Sequence, residues 1–335
     1  MDSKRYERKL SHSSFLQMIM HSLKILVLIL HVASSSQHVI IEPLMSNVLV
    51  VKVDVSVFTE THVSLSCGES YEDRKVVWKN NRGTVGEGNM ITVKVEEMRG
   101  GNYSCYNTAG DYLNHTLVLV QDISKQRILT QSHRSEYINC FARNYSGIFH
   151  CSWTKHKQRK SASVVLIQAG RRSGGNISCT VDSDGSGLSC EDLNSCSFGE
   201  EVSRINLKVY FRTSTLLEEY TVSPFYIRER VRPDAIDIIK MENKTFSWSY
   251  PATWSIPCSY FPLLFQVKAV KPEVSCDSEE EVLMEAQIIK EQKIDVSLSE
   301  DRYHFCVRNK DALVDSVWSP WIYHEQENKM KNNNI

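Results

Sequence analysis

Cysteines are the residues whose number and spacing most clearly predict chemistry in this chain of 335 residues. The sequence contains 10 of them, which is unusual in a reducing compartment unless they bind metal or react. Neither a Cys-x-x-Cys pair nor a His-Glu-x-x-His run occurs, so the patterns typical of zinc sites are missing. The cysteines therefore favour disulfide bonds, provided that the chain enters an oxidising compartment.

Patterns for catalysis and ligand binding are weak elsewhere in the sequence. The segment Asp-x-Asp-x-Ser-Gly at 182–187 begins like a calcium loop, but its twelfth position is Leu193, where calcium needs a bidentate glutamate. Neither a Gly-x-Ser-x-Gly elbow nor a phosphate-binding glycine loop is present. The 39 basic and 40 acidic residues leave no excess positive charge for nucleic-acid binding. We predict a protein that is not an enzyme, has no metal or cofactor and binds no nucleic acid.

The N-terminus has the layout of a secretory signal peptide. Basic residues precede the apolar run Ile25–Leu30 and small residues follow it, which is the order of the three signal regions. We expect cleavage between Ala33 and His38 and assign 1–36 to the signal peptide. A membrane anchor is the alternative, but polar and charged residues interrupt the roughly 20 apolar residues that a span needs. With a polar tail at 327–335, the sequence predicts a secreted chain that does not insert into a membrane.

Glycosylation acceptors agree with this prediction of secretion. Asn102 stands in an Asn-x-Ser sequence, but we expect it in a core strand and set it aside. The predicted N-glycosylation sites are Asn114, Asn144, Asn176 and Asn243.

Short β runs separated by turns, without long helical periodicity, predict an all-β protein built from sandwiches. In the first block, Cys67 and Cys105 flank Trp78, and Tyr103 lies two residues before the second cysteine. In an immunoglobulin-like sandwich a disulfide joins the two sheets, an indole packs beside it, and a tyrosine stands at this position. We predict such a domain over 37–122, with a Cys67–Cys105 bond.

The next block carries two cysteine pairs with equal spacing. Cys140 and Cys151 lie on either side of a turn at 144–147, which predicts a hairpin closed by a disulfide. Cys179 and Cys190 enclose a second turn-rich loop, and we predict that they also pair.

The third block begins after a proline-containing linker at 231–234 and ends with the motif Trp318-Ser-Pro-Trp321. A strand of alternating polarity upstream places Arg302 and Arg308 on its outer face. Both guanidinium groups could stack there on the two tryptophans as cation–π layers.

Four cysteines remain, and their pairing stays partly open. Cys276–Cys306 is the bond that we predict within the third block. Cys196 either bonds to another chain or pairs internally, for example with Cys258. An odd thiol in a secreted chain favours the bond to another chain.

Together these features resemble the class I cytokine-receptor-like family. The Cys140–Cys151 hairpin with Trp153 after it and the C-terminal tryptophan motif are typical of its homology module, which consists of two fibronectin type III domains. The stretches at 140–147 and 250–257 also look like that family. An immunoglobulin-like domain ahead of the module, with no anchor behind it, is similar to the soluble beta subunits of interleukin-12/23-type cytokines. The resemblance implies fibronectin type III domains at 123–230 and 231–326.

The resemblance also implies a site for a partner. Such beta subunits bind a four-helix alpha subunit at the hinge between the second and third domains, and a disulfide locks the pair. Carried over by motif position, the thiol is Cys196, the buried acidic residue that receives an arginine is Asp311, and Tyr145 forms a pocket wall. The chain departs from the family where Leu313 and Val314 replace tyrosines. It also departs at Glu279–Glu281, which replace a basic heparin-binding run, so we do not carry heparin binding over.

The function implied is a secreted beta subunit that pairs covalently with an alpha subunit and engages cell-surface cytokine receptors. The alternative is a soluble decoy or carrier receptor that binds its cytokine reversibly. An adhesion protein is disfavoured by the hairpin and tryptophan motifs, and a homodimer through Cys196 is compatible with the first function. We expect Val48–Val57 to be an edge strand and a candidate receptor surface.

Overall fold

The structure is a computed structural model of the whole chain. It describes residues 39–327 apart from 57, 97–98, 133–134, 196–199, 241–244, 255–260, 301 and 315. The chain divides into two compact units, the first extending to Gln126 and including Ser214–Leu217, the second comprising Arg127–Thr213 and the residues from Glu218 on. Both units consist almost entirely of antiparallel strands in packed sheets, so the prediction of an all-β protein with immunoglobulin-like and fibronectin type III sandwiches is confirmed.

The first unit is the immunoglobulin-like sandwich. Its strands are β1 (Ile40–Met45), β2 (Val48–Val53), β3 (Glu60–Ser66), β4 (Val76–Asn80), β5 (Gly83–Glu87), β6 (Met90–Glu96), β7 (Gly101–Asn107) and β8 (Tyr112–Asp122). One sheet runs β1-β2-β8-β7-β4-β5 and the other pairs β3 with β6. The Cys67–Cys105 disulfide and Trp78 are fully buried between them, as the cysteine–tryptophan spacing predicts.

The second unit begins with a sandwich that contains both cysteine hairpins. Its elements are β9 (Ile138–Phe141), β10 (Ile148–Trp153), β11 (Ser163–Arg171), β12 (Ile177–Val181), β13 (Gly187–Asp192), β14 (Ile205–Arg212), β15 (Leu216–Phe225) and α1 (Ile227–Arg230). One sheet has the order β12-β13-β10-β9, and β11 pairs with β14 in the other. The calcium-like segment forms the turn between β12 and β13, where the Gly185 N–H donates to the Asp182 carbonyl.

The remaining part of the second unit is a second fibronectin-type sandwich. Its strands are β16 (Ile238–Lys240), β17 (Thr245–Trp248), β18 (Leu263–Val270), β19 (Val282–Ile289), β20 (Lys293–Asp295), β21 (Arg302–Asp311) and β22 (Ile322–Glu327). The sheets have the orders β16-β17-β20 and β19-β18-β21-β22. Alternate residues of β21 point into the core, so the strand carries its apolar face inward until it ends at the buried Asp311.

Two expectations about surface positions are wrong. The region Val48–Val57 is not an edge, because β2 lies between β1 and β8 and buries four of its six side chains. Instead β1 is the strand at that end of the sheet, and it exposes Ile40, Ile41 and Met45. Asn102 does lie in a strand, but its side chain is exposed on the outer face of β7.

Candidate partner-binding site

The turn at 144–147 joins β9 to β10 and is held by its own first residue. The Asn144 Oδ1 accepts a hydrogen bond from the Ser146 N–H at 2.8 Å, which closes an Asx turn. Gly147 completes the reversal with a φ of 92°, a left-handed conformation that glycine adopts without strain. The turn therefore has a fixed shape that is encoded by its sequence.

This turn is attached to the next sandwich by several hydrogen bonds. The Asn144 Nδ2 donates to the Thr253 carbonyl at 2.7 Å, and the Thr253 hydroxyl donates to Asp234 at 2.9 Å. Ala142, just before the turn, donates to the Arg230 carbonyl at 2.9 Å and accepts from the Arg232 N–H at 2.8 Å. The predicted linker is thus hydrogen-bonded to the hairpin, and the hinge has defined geometry on both sides.

Tyr145 projects from the turn into an aromatic cluster of the following sandwich. Its ring stacks on Phe261 with centroids 4.4 Å apart and meets Trp254 edge-on at 6.0 Å. The Trp254 indole N–H donates to the Phe261 carbonyl at 2.9 Å, which fixes the two aromatic residues relative to each other. Tyr145 therefore lies at the hinge with its orientation set by rigid neighbours, and its role as a pocket wall for a partner stays a prediction.

Asp311 lies directly beneath this wall and is fully buried. The Tyr145 hydroxyl donates to its Oδ2 at 2.6 Å, and the Leu313 N–H donates to its Oδ1 at 2.6 Å. Its own N–H donates to the Ser316 hydroxyl at 2.9 Å. A carboxylate this deeply buried depends on such donors, because an isolated charge in a protein interior is costly. The structure thus brings together the predicted pair Tyr145 and Asp311 and joins them by a hydrogen bond.

The segment that carries Cys196 starts beside the same turn, although Cys196 itself lies outside the described residues. The Gly147 carbonyl accepts from the Asp192 N–H at 3.0 Å. A Cβ placed on Gly147 would lie only 2.5 Å from the Cβ of Ser195, the residue before Cys196. Such contact leaves room for glycine alone. The turn is therefore in contact both with Asp311 and with the start of the Cys196 segment.

Exposed apolar side chains surround this region, and the sequence motifs did not point to them. Ile148 follows the turn and is 51% exposed, Leu193 follows Asp192 and is 57% exposed, and Leu313 follows Asp311 and is 58% exposed. Clustered exposed apolar residues are typical of protein-binding surfaces. Only the folded structure shows that these exposed side chains lie close in sequence to the buried Asp192 and Asp311.

The tryptophan motif forms a ladder of rings and cations on the third sandwich. The Arg308 guanidinium lies 4.4 Å from the Trp321 ring centroid and 5.0 Å from that of Trp318. Lys310 extends the ladder over Trp318, and Lys268 extends it over Trp321. Burial lowers the pKa of the Arg308 guanidinium below its ordinary value. This ladder is structural, because its rings and cations all belong to the third sandwich.

The second arginine of the predicted stack, Arg302, lies at the start of β21. Its guanidinium pairs with Glu325 on β22 at 3.0 Å. The stacking of Arg302 on the tryptophans stays a prediction.

Eight of the cysteines form disulfides within the described part of the chain. The bonds are Cys67–Cys105, Cys140–Cys151, Cys179–Cys190 and Cys276–Cys306. The second and third join directly opposed residues of neighbouring strands. The other two cysteines, Cys196 and Cys258, lie outside the described residues.

Three of the four predicted glycosylation sites can be placed, and Asn243 lies outside the described residues. Asn176 is exposed. The amide nitrogen of Asn114 donates to the Cys67 carbonyl at 2.8 Å, and that of Asn144 donates across the hinge. The atom that would carry a glycan is thus hydrogen-bonded to the backbone at two of these sites.

Within the described ranges, no three His, Cys, Asp or Glu side chains are grouped so that they could hold a metal ion. No helix in those ranges has the length and apolar character needed to cross a membrane.

The chain is similar to proteins of one family along most of its length. Residues 135–213 match the family described as "Cytokine interleukin-12p40 C-terminus". Interleukin-12 subunit beta of Mesocricetus auratus is 27% identical over 307 residues, covering 82% of this chain and 90% of that protein. The proteins of the same name from Lama glama and Homo sapiens are 28% and 27% identical, each covering 77% of this chain and 84% of its relative. The resemblance indicated by the motifs is therefore confirmed: the chain is similar to interleukin-12 beta subunits along most of its length.

Proposed function

We propose that this chain is the secreted beta subunit of a heterodimeric cytokine and that it pairs with a four-helix alpha subunit at the hinge of the second unit. The observation that carries the proposal is the hydrogen bond between Tyr145 and the buried Asp311, set beside both an exposed apolar rim and the start of the Cys196 segment. The homology to interleukin-12 beta subunits supports the cytokine role.

Asp311 supplies the polar part of the interaction. Its carboxylate accepts hydrogen bonds from a phenol hydroxyl and a backbone N–H, both of which are uncharged donors. A guanidinium from the partner would compensate the buried negative charge, and loss of either member of such a pair is costly. The rim of Ile148, Leu193 and Leu313 would exclude water around it.

Cys196 supplies the covalent part. Its thiolate attacks a disulfide of the secretory pathway and forms a mixed disulfide, releasing one thiol of the carrier. The alpha-subunit thiolate then attacks the Cys196 sulfur and expels the second carrier thiol, so two subunit thiols are oxidised and one carrier disulfide is reduced. The oxidising compartment that this step needs is consistent with the signal-peptide pattern and with four internal disulfides.

Further features of the proposal follow from the same role. The chain has no catalytic activity, it is secreted, and it engages a cell-surface cytokine receptor chain. Asn176, which is exposed, is a better glycan acceptor than Asn114 or Asn144, whose amide nitrogens are hydrogen-bonded. A soluble decoy receptor is the second candidate, because a hinge between two fibronectin-type sandwiches also suits reversible cytokine binding.

Co-expression with candidate four-helix alpha subunits tests the proposal. Secreted protein is analysed on non-reducing gels and by size-exclusion chromatography, for the wild type and for Cys196→Ser and Asp311→Asn. We expect a covalent heterodimer for the wild type, a noncovalent one for Cys196→Ser, and weakened pairing for Asp311→Asn. The control is Asp184→Asn, which changes an exposed turn carboxylate.

The outcomes separate the candidate functions. A band that needs Cys196 but no partner would indicate a homodimer. Monomer in every lane would favour the decoy receptor. Normal pairing by Asp311→Asn would remove Asp311 from the site.

A further inference from the structure

One of the four disulfides in the described part of the chain has a partly exposed cysteine. Cys179 lies on β12, the last strand of its sheet, and is partly exposed, whereas its partner Cys190 is 1% exposed. The six cysteines of the other three bonds are at most 7% exposed. A thiolate must reach the sulfur that it attacks, so access distinguishes Cys179–Cys190 from the other disulfides.

The Cys140–Cys151 bond provides a comparison within the same sandwich. Both bonds join directly opposed residues of neighbouring antiparallel strands, and the Cα atoms are 4.0 Å apart in Cys140–Cys151 and 4.1 Å apart in Cys179–Cys190. Both pairs are also 11 residues apart in sequence. Because strand geometry and loop length match, a difference in reactivity between the two bonds would come from access and from the surrounding charges.

Cys179 forms part of the wall of a cavity between the edge strands β11 and β12. The cavity has a volume of about 1070 Å³, and its apolar part includes Ile167 and Ala169 of β11 and Ile177 of β12. This volume is sufficient for a molecule of the size of a tripeptide. A small thiol that enters the cavity therefore comes close to the Cys179–Cys190 bond.

The charged residues around the cavity favour a negatively charged molecule. Arg172, which is exposed, borders it together with Arg204 and Lys208, and none of the described lining residues is acidic. The carboxylates that pair with two of these cations, those of Glu229 and Glu219, are not among the lining residues. An anion in the cavity therefore lies closer to the cations than to their carboxylate partners, and the Coulomb energy is larger at the shorter distance.

Two of these cations have fixed positions. The Arg204 guanidinium donates two hydrogen bonds to Glu229, at 2.8 and 2.9 Å, and lies 4.7 Å from the Tyr226 ring centroid. The Lys208 ammonium donates to the Glu219 Oε1 at 2.7 Å, and this hydrogen bond raises the pKa of Lys208. Both side chains stay charged and in place, so an incoming anion does not have to order them.

A fourth cation at the cavity contributes less. The Arg171 side chain is only 9% exposed, its Nε donates to the Asp192 Oδ2 at 2.7 Å, and its Nη2 donates to the Glu201 Oε1 at 2.9 Å. Two carboxylates already compensate this guanidinium. We therefore assign the attraction of an anion to the other three cations.

The charges near Cys140 are different. Its cavity has a volume of about 480 Å³ and is lined by Glu136 and Glu229 as well as by Arg230 and Arg232. An anionic thiol would meet charges of both signs there, and Cys140 itself is 7% exposed. The two bonds thus share their strand geometry but differ in access and in charge.

We propose that the cavity beside Cys179 binds a small anionic thiol of the glutathione class and that Cys179–Cys190 is a site of thiol–disulfide exchange with it. The thiolate attacks the Cys179 sulfur and forms a mixed disulfide, and the electron pair of the broken bond leaves with the Cys190 sulfur, which takes up a proton. A second thiolate attacks the glutathione sulfur of the mixed disulfide and releases Cys179. Two glutathione thiols are thus oxidised to one disulfide while the protein disulfide is reduced to two thiols. This inference does not depend on the alpha subunit.

Thiol trapping with peptide mapping tests the proposal on the secreted full-length chain alone. The chain is incubated with reduced glutathione, samples are alkylated with N-ethylmaleimide at successive times, and mass spectrometry gives the rate at which each disulfide opens. Cysteamine is the comparison reductant, because it is a small thiol with a positive charge, and rates are expressed per thiolate.

The variants change the charge of one exposed residue, so the fold is preserved. Arg172→Gln removes a cation of the cavity, and Arg172→Glu reverses its sign. The matched control is Arg74→Gln, which alters an exposed arginine that does not line the cavity.

We expect Cys179–Cys190 to open at least about tenfold faster than Cys140–Cys151 with glutathione. Glutathione should open it about fivefold faster than cysteamine in the wild type, and this preference should fall in Arg172→Gln, reverse in Arg172→Glu and persist in Arg74→Gln.

Three results would overturn the inference. The first is opening of both hairpin disulfides at equal rates. The second is an equal rate with the two reductants in the wild type. The third is a preference for glutathione that stays unchanged in both Arg172 variants. None of these results bears on pairing through Asp311 or Cys196, so the proposed function is tested separately.

Discussion

The hydrogen bond between Tyr145 and Asp311 can be tested by removing a single oxygen. Tyr145→Phe deletes the hydroxyl but keeps the ring that stacks on Phe261, so the packing of the hinge is preserved. A hydrogen bond to a charged group contributes about 1.5–3 kcal/mol to stability. Because Asp311 is fully buried, solvent cannot replace the lost donor, and we expect a loss of about 2 kcal/mol.

Urea unfolding followed by tryptophan fluorescence measures this loss, and a double-mutant cycle with Asp311→Asn isolates the pair. We expect a coupling energy of about 1–2 kcal/mol, since the neutral amide still accepts a hydrogen bond but more weakly. Tyr112→Phe is the matched control, because its hydroxyl bonds to His115 on an exposed surface and should cost less than about 0.5 kcal/mol.

Tyr145→Phe also separates the contribution of the tyrosine hydroxyl to partner binding from that of the Asp311 carboxylate. Asp311→Asn should weaken association with the alpha subunit by about 2 kcal/mol or more, whereas Tyr145→Phe should change it far less, because a partner guanidinium binds the carboxylate and not the phenol. A stability loss below about 0.5 kcal/mol for Tyr145→Phe, together with additivity in the cycle, would refute the structural role assigned to this hydrogen bond.

Three further changes test other parts of the second unit. Gly147→Ala should lower stability in thermal unfolding by at least about 1 kcal/mol and impair pairing, because its Cβ would collide with Ser195. The control is Gly174→Ala, which also has a positive φ but has open space around it, so it measures the cost of backbone strain alone. Glu218→Gln should cost about 2 kcal/mol in urea unfolding, since this buried carboxylate accepts two backbone N–H groups and a tyrosine hydroxyl. Arg308→Ala should lower the melting temperature of the third sandwich, and Arg308→Lys should restore part of the loss because a lysine still offers a cation to the two rings.

The architecture could be predicted because its determinants are local. Alternation of apolar and polar residues identifies strands, and cysteines at fixed distances from a tryptophan identify the immunoglobulin-like sandwich. Cys140 and Cys151 are opposed residues of one hairpin. Their spacing on either side of the turn is therefore enough to predict that they lie close together. The turn at 144–147 was predictable for the same reason.

The wrong expectations concern the exposure of surface positions, which depends on neighbouring strands that the sequence pattern does not identify. β1 contains Pro43 and has exposed side chains on both faces, so its pattern does not indicate that it covers β2. Asn102 lies in a strand but is exposed, because alternate residues of β7 face solvent and strand position alone does not imply burial. Arg302 and Arg308 share a face of β21, but only the structure shows that the Arg302 guanidinium pairs with Glu325 on β22.

The candidate site was predicted from a resemblance, and the structure adds the physical connection among its parts. Arg171, Asp192 and Glu201 are far apart in sequence and belong to no motif, so their convergence on one guanidinium could not be inferred beforehand. The exposed rim of Ile148, Leu193 and Leu313 is likewise visible only after folding.

The short turn at 144–147 is the element through which the two halves of the proposed site can act together. Tyr145 binds Asp311 on one side of it, and Gly147 contacts Asp192 and Ser195 on the other. A partner cation that displaces the Tyr145 hydroxyl would therefore act on a residue only two positions away from the one in contact with the Cys196 segment. Because the Asx turn and the glycine keep this spacing fixed, noncovalent docking at Asp311 and covalent capture at Cys196 should occur in one orientation of the partner.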